Sequence, residues 1–312
     1  MDNSGSKFYY SRLTDRLKEL YDELSRAILN FESTLRLGAQ RYSSTELKRT
    51  VEGVIFDNPV FFYLESNKVK TTVSPLGMMI LLDYDYTREE SERLWAELNR
   101  RADEIIRQQI DPAMPTLVKQ RRVHNELCKI VRATKPYCRE DHSAVGALLR
   151  GKCVCDGYAY AYKLICDKLH IASIVVAGEG VDPDGKSEGH AWNITRIDGV
   201  TAHTDCSWDA PIEGTAYDYF NLSDDEISAD HRFDRDLYPP CGPNSINYFS
   251  QNDMIASDEA QLHSIVKAHR NDRSFAVRLL FDLPVGQIKS LPFAAGRIRY
   301  NEAMKIIGFS TR

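Results

Sequence analysis

The spacing of apolar and polar residues predicts two amphipathic helices at the start of the chain. Over residues 10–37 apolar side chains recur every three to four positions, which places them on one helix face. These positions are Leu13, Leu17, Leu20, Tyr21 and Leu24. A second helix should begin at the capping residues 43–46 (Ser-Ser-Thr-Glu) and end before Pro59, because a residue that precedes proline disfavours the helical conformation.

Residues 61–86 carry aromatic and β-branched runs that predict strands, with breaks at 66–67 (Ser-Asn) and 75–77 (Pro-Leu-Gly). A charged helix should follow over residues 87–110, and its many Arg and Glu residues are most simply a solvated face. Its buried stripe should contain Leu94, Trp95, Leu98, Ile105 and Ile106.

Pro115 and the Asp-Pro pair just before it indicate a domain boundary. Helices are expected next at 116–132 and 143–149, and then a helix of about 14 residues after Gly151. An apolar strand is expected at 171–177.

An Asp-Gly pair at 198–199 separates two alternating runs, 190–197 and 200–206. Asp-Gly between two such runs is the strongest short-range signal for a β-hairpin. A final segment should contain a helix at 257–268 and a strand at 274–281.

These elements predict an α+β protein in three parts. A helical N-terminal region with a few strands should span residues 1–115, a central domain 116–245, and a small α/β extension 246–312. The chain has 312 residues, of which 43% are apolar, so it can bury a sizeable core.

Charge and composition narrow the class of protein. Lys and Arg number 40 against 45 Asp and Glu, a net charge of −5, which argues against a nucleic-acid partner. The longest apolar run, 77–82, is far too short to span a membrane. The first residues lack a signal-peptide pattern, and seven cysteines are too few for a disulfide scaffold. We therefore expect a cytoplasmic protein.

Residues 180–187 satisfy the phosphate-loop pattern Gly-x-x-x-x-Gly-Lys-Ser. Such a loop binds phosphate only where it opens into a helix, yet residues 188–197 alternate like a strand. We therefore predict an acidic surface loop. The same loop also fails the calcium-loop pattern, and no metal or other cofactor is expected.

The segment 151–159 (Gly-Lys-Cys-Val-Cys-Asp-Gly-Tyr-Ala) should open a helix with Cys155 at its N-terminus. Five positions then share one face: Cys155, Ala159, Tyr162, Cys166 and Leu169. The helix dipole and the exposed backbone N–H groups stabilise a thiolate there, and the thiolate is the nucleophilic form of cysteine.

The hairpin brings a histidine and an aspartate together. A two-residue turn pairs Ile197 with Val200, so Trp192 should face Asp205, with His190 diagonal to it on the same face. An aspartate bonded to one imidazole nitrogen leaves the other to accept a proton from a thiol. His203 shares this face and could compete for the carboxylate.

Three segments together resemble the transglutaminase-like superfamily: 154–159 (Val-Cys-Asp-Gly-Tyr-Ala), 189–193 (Gly-His-Ala-Trp-Asn) and 205–209 (Asp-Cys-Ser-Trp-Asp). Residues 217–223 and His231 are similar to the end of the bacterial form of this domain.

The resemblance implies a papain-like core, in which the helix that bears the nucleophile packs on an antiparallel sheet. It assigns the nucleophile to Cys155, the general base to His190 and the orienting acid to Asp205, with a peptide or protein amide as substrate. Candidate site-wall residues are Gly157, Tyr158, Trp192 and Trp208. Water as acceptor would make the protein a peptidase or amidase, and an amine would make it a transglutaminase; the sequence leaves both open.

Two features depart from the family pattern. Cys153 stands where a glycine is usual, and no glutamine lies six residues before Cys155, so only the Cys155 backbone N–H is assigned to the oxyanion hole. A non-catalytic binding protein, or a zinc-stabilised scaffold on the same fold, is the alternative. Its zinc ligands would be Cys153, Cys155, His203 and Cys206.

Overall fold

The computed structural model of the chain describes residues 7–64, 68–74, 77–135, 138–210, 216–288, 291 and 296–311. The α-helices are α1 (Phe8–Ser11), α2 (Asp15–Leu29), α3 (Ser44–Asp57), α4 (Arg88–Gln109), α5 (Thr116–Ile130), α6 (Cys155–Lys168), α7 (Cys206–Asp209), α8 (Asp224–Ile227), α9 (Tyr248–Gln251), α10 (Glu259–Ala268) and α11 (Val285–Ile288). The strands are β1 (Thr34–Arg36), β2 (Val69–Ser74), β3 (Gly77–Leu82), β4 (Arg132–Ala133), β5 (Lys152–Cys153), β6 (Ser173–Val181), β7 (Ser187–Ile197), β8 (Val200–Thr204), β9 (Phe220–Leu222), β10 (His231–Arg232), β11 (Ile255–Ala256), β12 (Ser274–Leu279), β13 (Gly296–Asn301) and β14 (Ile306–Thr311).

Two compact units make up the chain. The first contains the residues up to Met114 together with Thr134–Val175, and the second contains Pro115–Ala133 and the residues from Val176 onward. Helices and sheets occur in both, which confirms the α+β class. The division into three parts at residues 115 and 245 stays a prediction.

In the first unit, α2 and α3 contribute to one apolar core together with an antiparallel sheet in the order β1-β3-β2. The prediction of helical structure to residue 37 is wrong at its end. Phe31 adopts a left-handed conformation (φ 54°) that stops α2, and β1 then pairs with β3 over residues 79–81. Strand pairing with a distant segment has outweighed the local helical pattern.

The strands predicted from residue 61 start later. A 3₁₀ turn occupies Pro59–Phe61, and β2 begins at Val69. The predicted breaks at 66–67 and at 75–76 lie outside the described residues. A further 3₁₀ turn at Arg139–His142 and a π-helical turn at Gly146–Arg150 precede α6.

Capping residues set the start of α3, as predicted, and also the start of α4. Ser43 caps α3 in a capping box with Glu46, and Thr87 caps α4 in the same way with Glu90. Along α4 the side chains of Leu98 and Ile105 are buried, whereas the other predicted core positions are only half-buried. Those are Leu94, Trp95 and Ile106.

The second unit contains a five-stranded antiparallel sheet in the order β10-β6-β7-β8-β9. The predicted hairpin forms its centre: Asp198 and Gly199 both have positive φ (49° and 91°), and Ile197 pairs with Val200. The second strand ends at Thr204 rather than at residue 206, because Asp205 caps α7 and turns the chain.

A second sheet, in the order β11-β12-β14-β13, lies in the C-terminal part of this unit and carries its own apolar core. The strand predicted at 274–281 is β12, but the hairpin of β13 and β14 was not predicted. In the part of the chain that the structure describes, every helix is too short or too polar to cross a bilayer.

Asp57 stabilises the N-terminal helices, and its truncation should be costly. The buried carboxylate accepts hydrogen bonds from the backbone N–H groups of Tyr9 (3.1 Å) and Tyr10 (2.9 Å) and from the Tyr21 hydroxyl (3.2 Å). Asp57→Ala leaves these donors without an acceptor, so we expect a loss of about 3 kcal/mol in the free energy of unfolding, measured in urea. Asp22→Ala removes an exposed partner of the Tyr10 hydroxyl and should cost about 0.5 kcal/mol or less. Equal losses would contradict this role.

Candidate active site

Cys155 is the first residue of α6 and is half-buried, as the sequence predicts. Its thiol lies 3.6 Å from Asp156 Oδ1, and Asp156 Oδ2 in turn lies 2.9 Å from His142 Nδ1. The thiol therefore stands at a helix N-terminus, beside an aspartate that contacts a histidine.

The neighbouring thiol of Cys153 is fully buried, and burial raises its pKa well above the ordinary value. Cys153 is thus less reactive than an ordinary cysteine. Gly157 packs against it, since a Cβ at position 157 would lie 2.7 Å from the carbonyl oxygen of Asp141 and closer still to Cys153. Tyr158 is buried as well.

The hairpin brings His190 and Asp205 together, with 2.6 Å between His190 Nε2 and Asp205 Oδ2. The contact does not arise as predicted, because the β7–β8 ladder ends at the pair Asn193 and Thr204. Asp205 instead acts as the N-cap of α7. Its Oδ1 atom accepts from the Ser207 backbone N–H (2.8 Å), the Ser207 hydroxyl (2.7 Å) and the Trp208 N–H (3.2 Å).

Hydrogen bonding keeps Asp205 ionised although it is buried. Burial by itself would raise the pKa of this carboxyl, but the charge of His190 and hydrogen bonds from His190 and His231 hold it far below its usual value. An ionised carboxylate at Nε2 fixes the imidazole tautomer. Nδ1 is then the basic nitrogen of a neutral His190.

A second histidine, His231, also faces Asp205 and was not predicted to do so. Its Nε2 atom lies 3.2 Å from Asp205 Oδ2 and its Nδ1 atom 2.6 Å from Asp230 Oδ1. Burial would lower the pKa of His231, but the bonds to the two carboxylates raise it. Asp230 also accepts from the Tyr219 hydroxyl (2.7 Å). In the sequence, the only indication of a role for His231 was its place among residues similar to the end of the bacterial domain.

His203 does not compete for Asp205. The indole N–H of Trp192 donates to His203 Nδ1 (2.9 Å), and His203 Nε2 lies 2.8 Å from Asp224 Oδ1. Both ring nitrogens of His203 are engaged in these contacts. The alternative zinc set of Cys153, Cys155, His203 and Cys206 stays a prediction.

Aromatic rings and a glycine surround His190. The ring of Trp192 stacks on it at 5.8 Å and that of Trp208 lies at 5.2 Å. A Cβ at Gly180 would lie 2.8 Å from the Trp208 ring and 3.4 Å from His190 Cγ. Trp192 is buried and Trp208 half-buried. A role of these residues, or of Gly157 and Tyr158, in contacting substrate stays a prediction.

The phosphate-loop pattern at 180–187 is a hairpin turn between β6 and β7. The turn is closed by the backbone bonds Asp182 N–H to Lys186 carbonyl (3.0 Å) and Gly185 N–H to Asp182 carbonyl (2.9 Å). Lys186 pairs with Glu188. A strand follows the pattern, as predicted, and the helix that phosphate binding requires does not.

Three groups among the described residues have metal-ligating atoms close enough to share an ion. They are His190, Asp205 and His231; His203, Asp224 and Cys241; and His124, Cys128 and Cys206. The hydrogen bonds given above account for the geometry of the first group and of the His203–Asp224 pair.

In the third group, the bond to Cys206 lowers the pKa of Cys128 to about 5; burial opposes this shift and His124 adds to it.

Residues 102–208 match the sequence model of the transglutaminase-like superfamily. The match confirms the resemblance predicted from the three motifs, and its range includes Cys155, His190 and Asp205. It supports a thiol-dependent enzyme at the level of the superfamily. A search of curated proteins finds no match.

Two solved structures have a partial likeness to the chain. A crystal structure described as a TGase has 10% identity and a TM-score of 0.32, and the match covers 45% of each chain. A candidate cysteine protease from Cytophaga hutchinsonii has 11% identity and a TM-score of 0.31, and the match covers 46% of this chain and 62% of that one. The chain thus spans less than half of the first structure and less than two thirds of the second.

The stability of the protein should depend on the small size of Gly180. In Gly180→Ala the new methyl group displaces the Trp208 ring, so we expect a loss of about 1–3 kcal/mol in the free energy of unfolding. Gly189→Ala is the matched control, because a Cβ there meets nothing within 4 Å. Urea unfolding followed by tryptophan fluorescence measures both variants. A Gly180→Ala protein as stable as Gly189→Ala would contradict the packing role.

His203 should make the stability of the protein depend on pH. Burial lowers the pKa of His203 and outweighs the opposing effect of Asp224, while the charges of His231 and Arg235 add to the lowering. The native state resists a proton that the unfolded chain accepts at about pH 6.5, so this contribution to stability is present above that pH and is lost as the pH falls.

Between pH 7 and pH 5, roughly the range of histidine titration, the unfolding free energy of His203→Gln should fall less steeply than that of the wild type. The difference in slope can reach about 1.4 kcal/mol per pH unit, the limit for one proton. His263→Gln, at an exposed position on α10, should leave the slope unchanged. Parallel curves for His203→Gln and wild type would refute the prediction.

Proposed function

We propose that the protein is a thiol-dependent acyl-transfer enzyme that acts on amide bonds of peptides or proteins. Cys155 is the nucleophile, His190 the general base and acid, and Asp205 the residue that orients His190. The observation that carries the proposal is the 2.6 Å contact of His190 with a buried, ionised carboxylate. The family match over all three residues and the position of Cys155 at the start of α6 support it.

The roles follow from the chemistry of each group. His190 Nδ1 takes the proton from the Cys155 thiol, and the thiolate attacks the amide carbonyl. The carbon–nitrogen bond breaks, the amine leaves with the proton that His190 carried, and a thioester remains on Cys155. The backbone N–H of Cys155 would stabilise the oxyanion of the tetrahedral intermediate.

The acceptor that resolves the thioester decides the reaction class. Water releases a carboxylic acid, so the enzyme is a peptidase or amidase, whereas a lysine-type amine gives a new amide, so it is a transglutaminase. The triad chemistry is common to both. Incubation with glutamine- and asparagine-containing peptides, with and without a primary alkylamine, separates the two by the mass of the product.

Limiting alkylation tests the nucleophile. The exposed Cys138 would react in any assay, so Cys138→Ser serves as the background for all variants. Limiting iodoacetamide should modify Cys155 before the buried Cys153, because alkylation requires access to the sulfur and a helix N-terminus favours the reactive thiolate form. Peptide mapping by mass spectrometry identifies the modified cysteine and shows whether Cys128 also reacts.

In the same background Cys155→Ser should abolish thioester formation and turnover. Asp205→Asn should keep the fold and lower turnover by at least about a hundred-fold, because an amide can hold the wrong imidazole tautomer. Cys153→Ala is the matched control, a neighbouring thiol whose removal should leave turnover nearly unchanged. If Cys128 or Cys153 is alkylated first and Cys155→Ser remains active, the nucleophile is not Cys155.

A further inference from the structure

A second cluster of reactive side chains lies between α5 and α7 within the second unit. His124 and Cys128 stand one helical turn apart on α5, and Cys206 and Asp209 are the first and last residues of α7. The two helices pack against each other. His124 and Asp209 are fully buried, Cys206 is 2% exposed and Cys128 is half-buried. The proposed acyl-transfer chemistry uses none of these four residues.

Three of the four donor groups lie close enough to one another to share a metal ion. Cys128 Sγ lies 3.6 Å from His124 Nε2, and His124 Nε2 lies 2.9 Å from Asp209 Oδ2. The two sulfur atoms and Nε2 all lie within 4.8 Å of one another. Bonds of about 2.0–2.3 Å to Zn²⁺ put neighbouring ligand atoms about 3.3–3.8 Å apart in a tetrahedron. One ion can therefore reach the two sulfur atoms and the imidazole after small side-chain movements, and the Asp209 carboxylate lies beside the imidazole as a fourth candidate ligand.

The hydrogen bonds around the cluster leave a place for a cation. His124 Nδ1 lies 3.1 Å from the side-chain oxygen of Asn125, whose amide nitrogen donates to the Tyr217 hydroxyl (2.8 Å). A proton on Nδ1 satisfies the Asn125 oxygen, and the lone pair of Nε2 then points at Asp209 Oδ2. Two acceptors 2.9 Å apart require a proton or a metal ion between them.

The surrounding bonds also hold the ligands in place, as is usual around metal sites. Asn125 orients the His124 ring, and the backbone N–H of Tyr219 donates to both carboxylate oxygens of Asp209 (3.1 and 3.3 Å). Two thiolates, one imidazole and one carboxylate favour Zn²⁺ over Mg²⁺ or Ca²⁺, which prefer oxygen ligands.

We propose that His124, Cys128, Cys206 and Asp209 form a structural zinc site. Zn²⁺ binds the thiolate forms of Cys128 and Cys206 and takes the place of the proton between His124 and Asp209, and every proton that these groups lose is released to solvent. Four protein ligands close the coordination shell, so the ion holds α5 to α7 and does not activate water. The site is independent of the proposed acyl-transfer function, and either can fail without the other.

Metal analysis of the full chain tests the proposal. The reduced protein is incubated with Zn²⁺, and excess metal is removed by passage over a mild chelating resin. We expect about one Zn²⁺ per chain by mass spectrometry of the metal, and a higher melting temperature than that of the chelator-treated protein. Co²⁺ in place of Zn²⁺ should give thiolate-to-metal charge-transfer absorption.

Variants show which residues bind the ion. Cys128→Ala and Cys206→Ser should each lose the bound Zn²⁺ and the thiolate–Co²⁺ absorption. Cys241→Ser is the matched control, a buried cysteine beside His203 and Asp224, and should retain both signals. Because Cys206→Ser could fail to fold, Cys128→Ala, at a half-buried helical position, decides the result once its circular dichroism matches that of the wild type.

Three outcomes overturn the proposal. The first is a folded wild-type chain that takes up no Zn²⁺ under reducing conditions. The second is a Cys128→Ala protein that binds as much Zn²⁺ as the wild type. The third is a chain, purified without reductant, in which Cys128 and Cys206 form a disulfide and addition of reductant does not restore Zn²⁺ binding.

Discussion

The buried carboxylate of Asp205 connects the parts of the second unit that carry chemistry. Its Oδ1 atom caps α7, and its Oδ2 atom faces both His190 and His231. A buried carboxylate with fewer donors would take up a proton, whereas donors on both oxygens keep this one ionised. The same side chain thus sets the orientation of the His190 ring and the start of the next helix. Neither can move without loss of a charge-assisted hydrogen bond.

Four histidines whose side chains are at most 8% exposed pair with carboxylates in this unit: His124 with Asp209, His190 with Asp205, His203 with Asp224, and His231 with Asp230. Burial explains the repetition, since an imidazole removed from water needs partners for its nitrogens. The four histidines differ in the solvent exposure of their side chains. The His190 side chain is 8% exposed, whereas the other three imidazoles are at most 1% exposed. A histidine–aspartate contact is therefore weak support for catalysis unless solvent can reach the imidazole.

The sequence predicted the features that arise from short-range chemistry. Capping residues marked the start of α3, the Asp-Gly pair fixed the hairpin register, and Cys155 begins its helix. It failed where distant segments decide the structure. The strand β1 and the hairpin of β13 and β14 depend on pairing partners that no local pattern reveals. The partner of His124 lies 85 residues away and the second partner of Asp205 lies 26 away.

The contact of His190 with Asp205 was predicted correctly but for an incomplete reason. Strand register alone would have continued the ladder to Asp205, yet the chain turns at that residue into a helix of four residues. Such a helix is too short to be stable by itself, because helix nucleation is unfavourable. Side-chain contacts must therefore hold it, and the short motif at 205–209 supplies them.

Each residue of that motif has a distinct contact. Asp205 caps the helix and orients His190, and Ser207 donates to the same carboxylate through its backbone and its hydroxyl. Trp208 lies against the His190 ring, and Cys206 and Asp209 face α5. The helix is thus held at its N-terminus by a carboxylate and along one side by α5. Because both sets of contacts act on the same four residues, an ion between α5 and α7 would stabilise the segment that positions Asp205 without touching the reacting atoms.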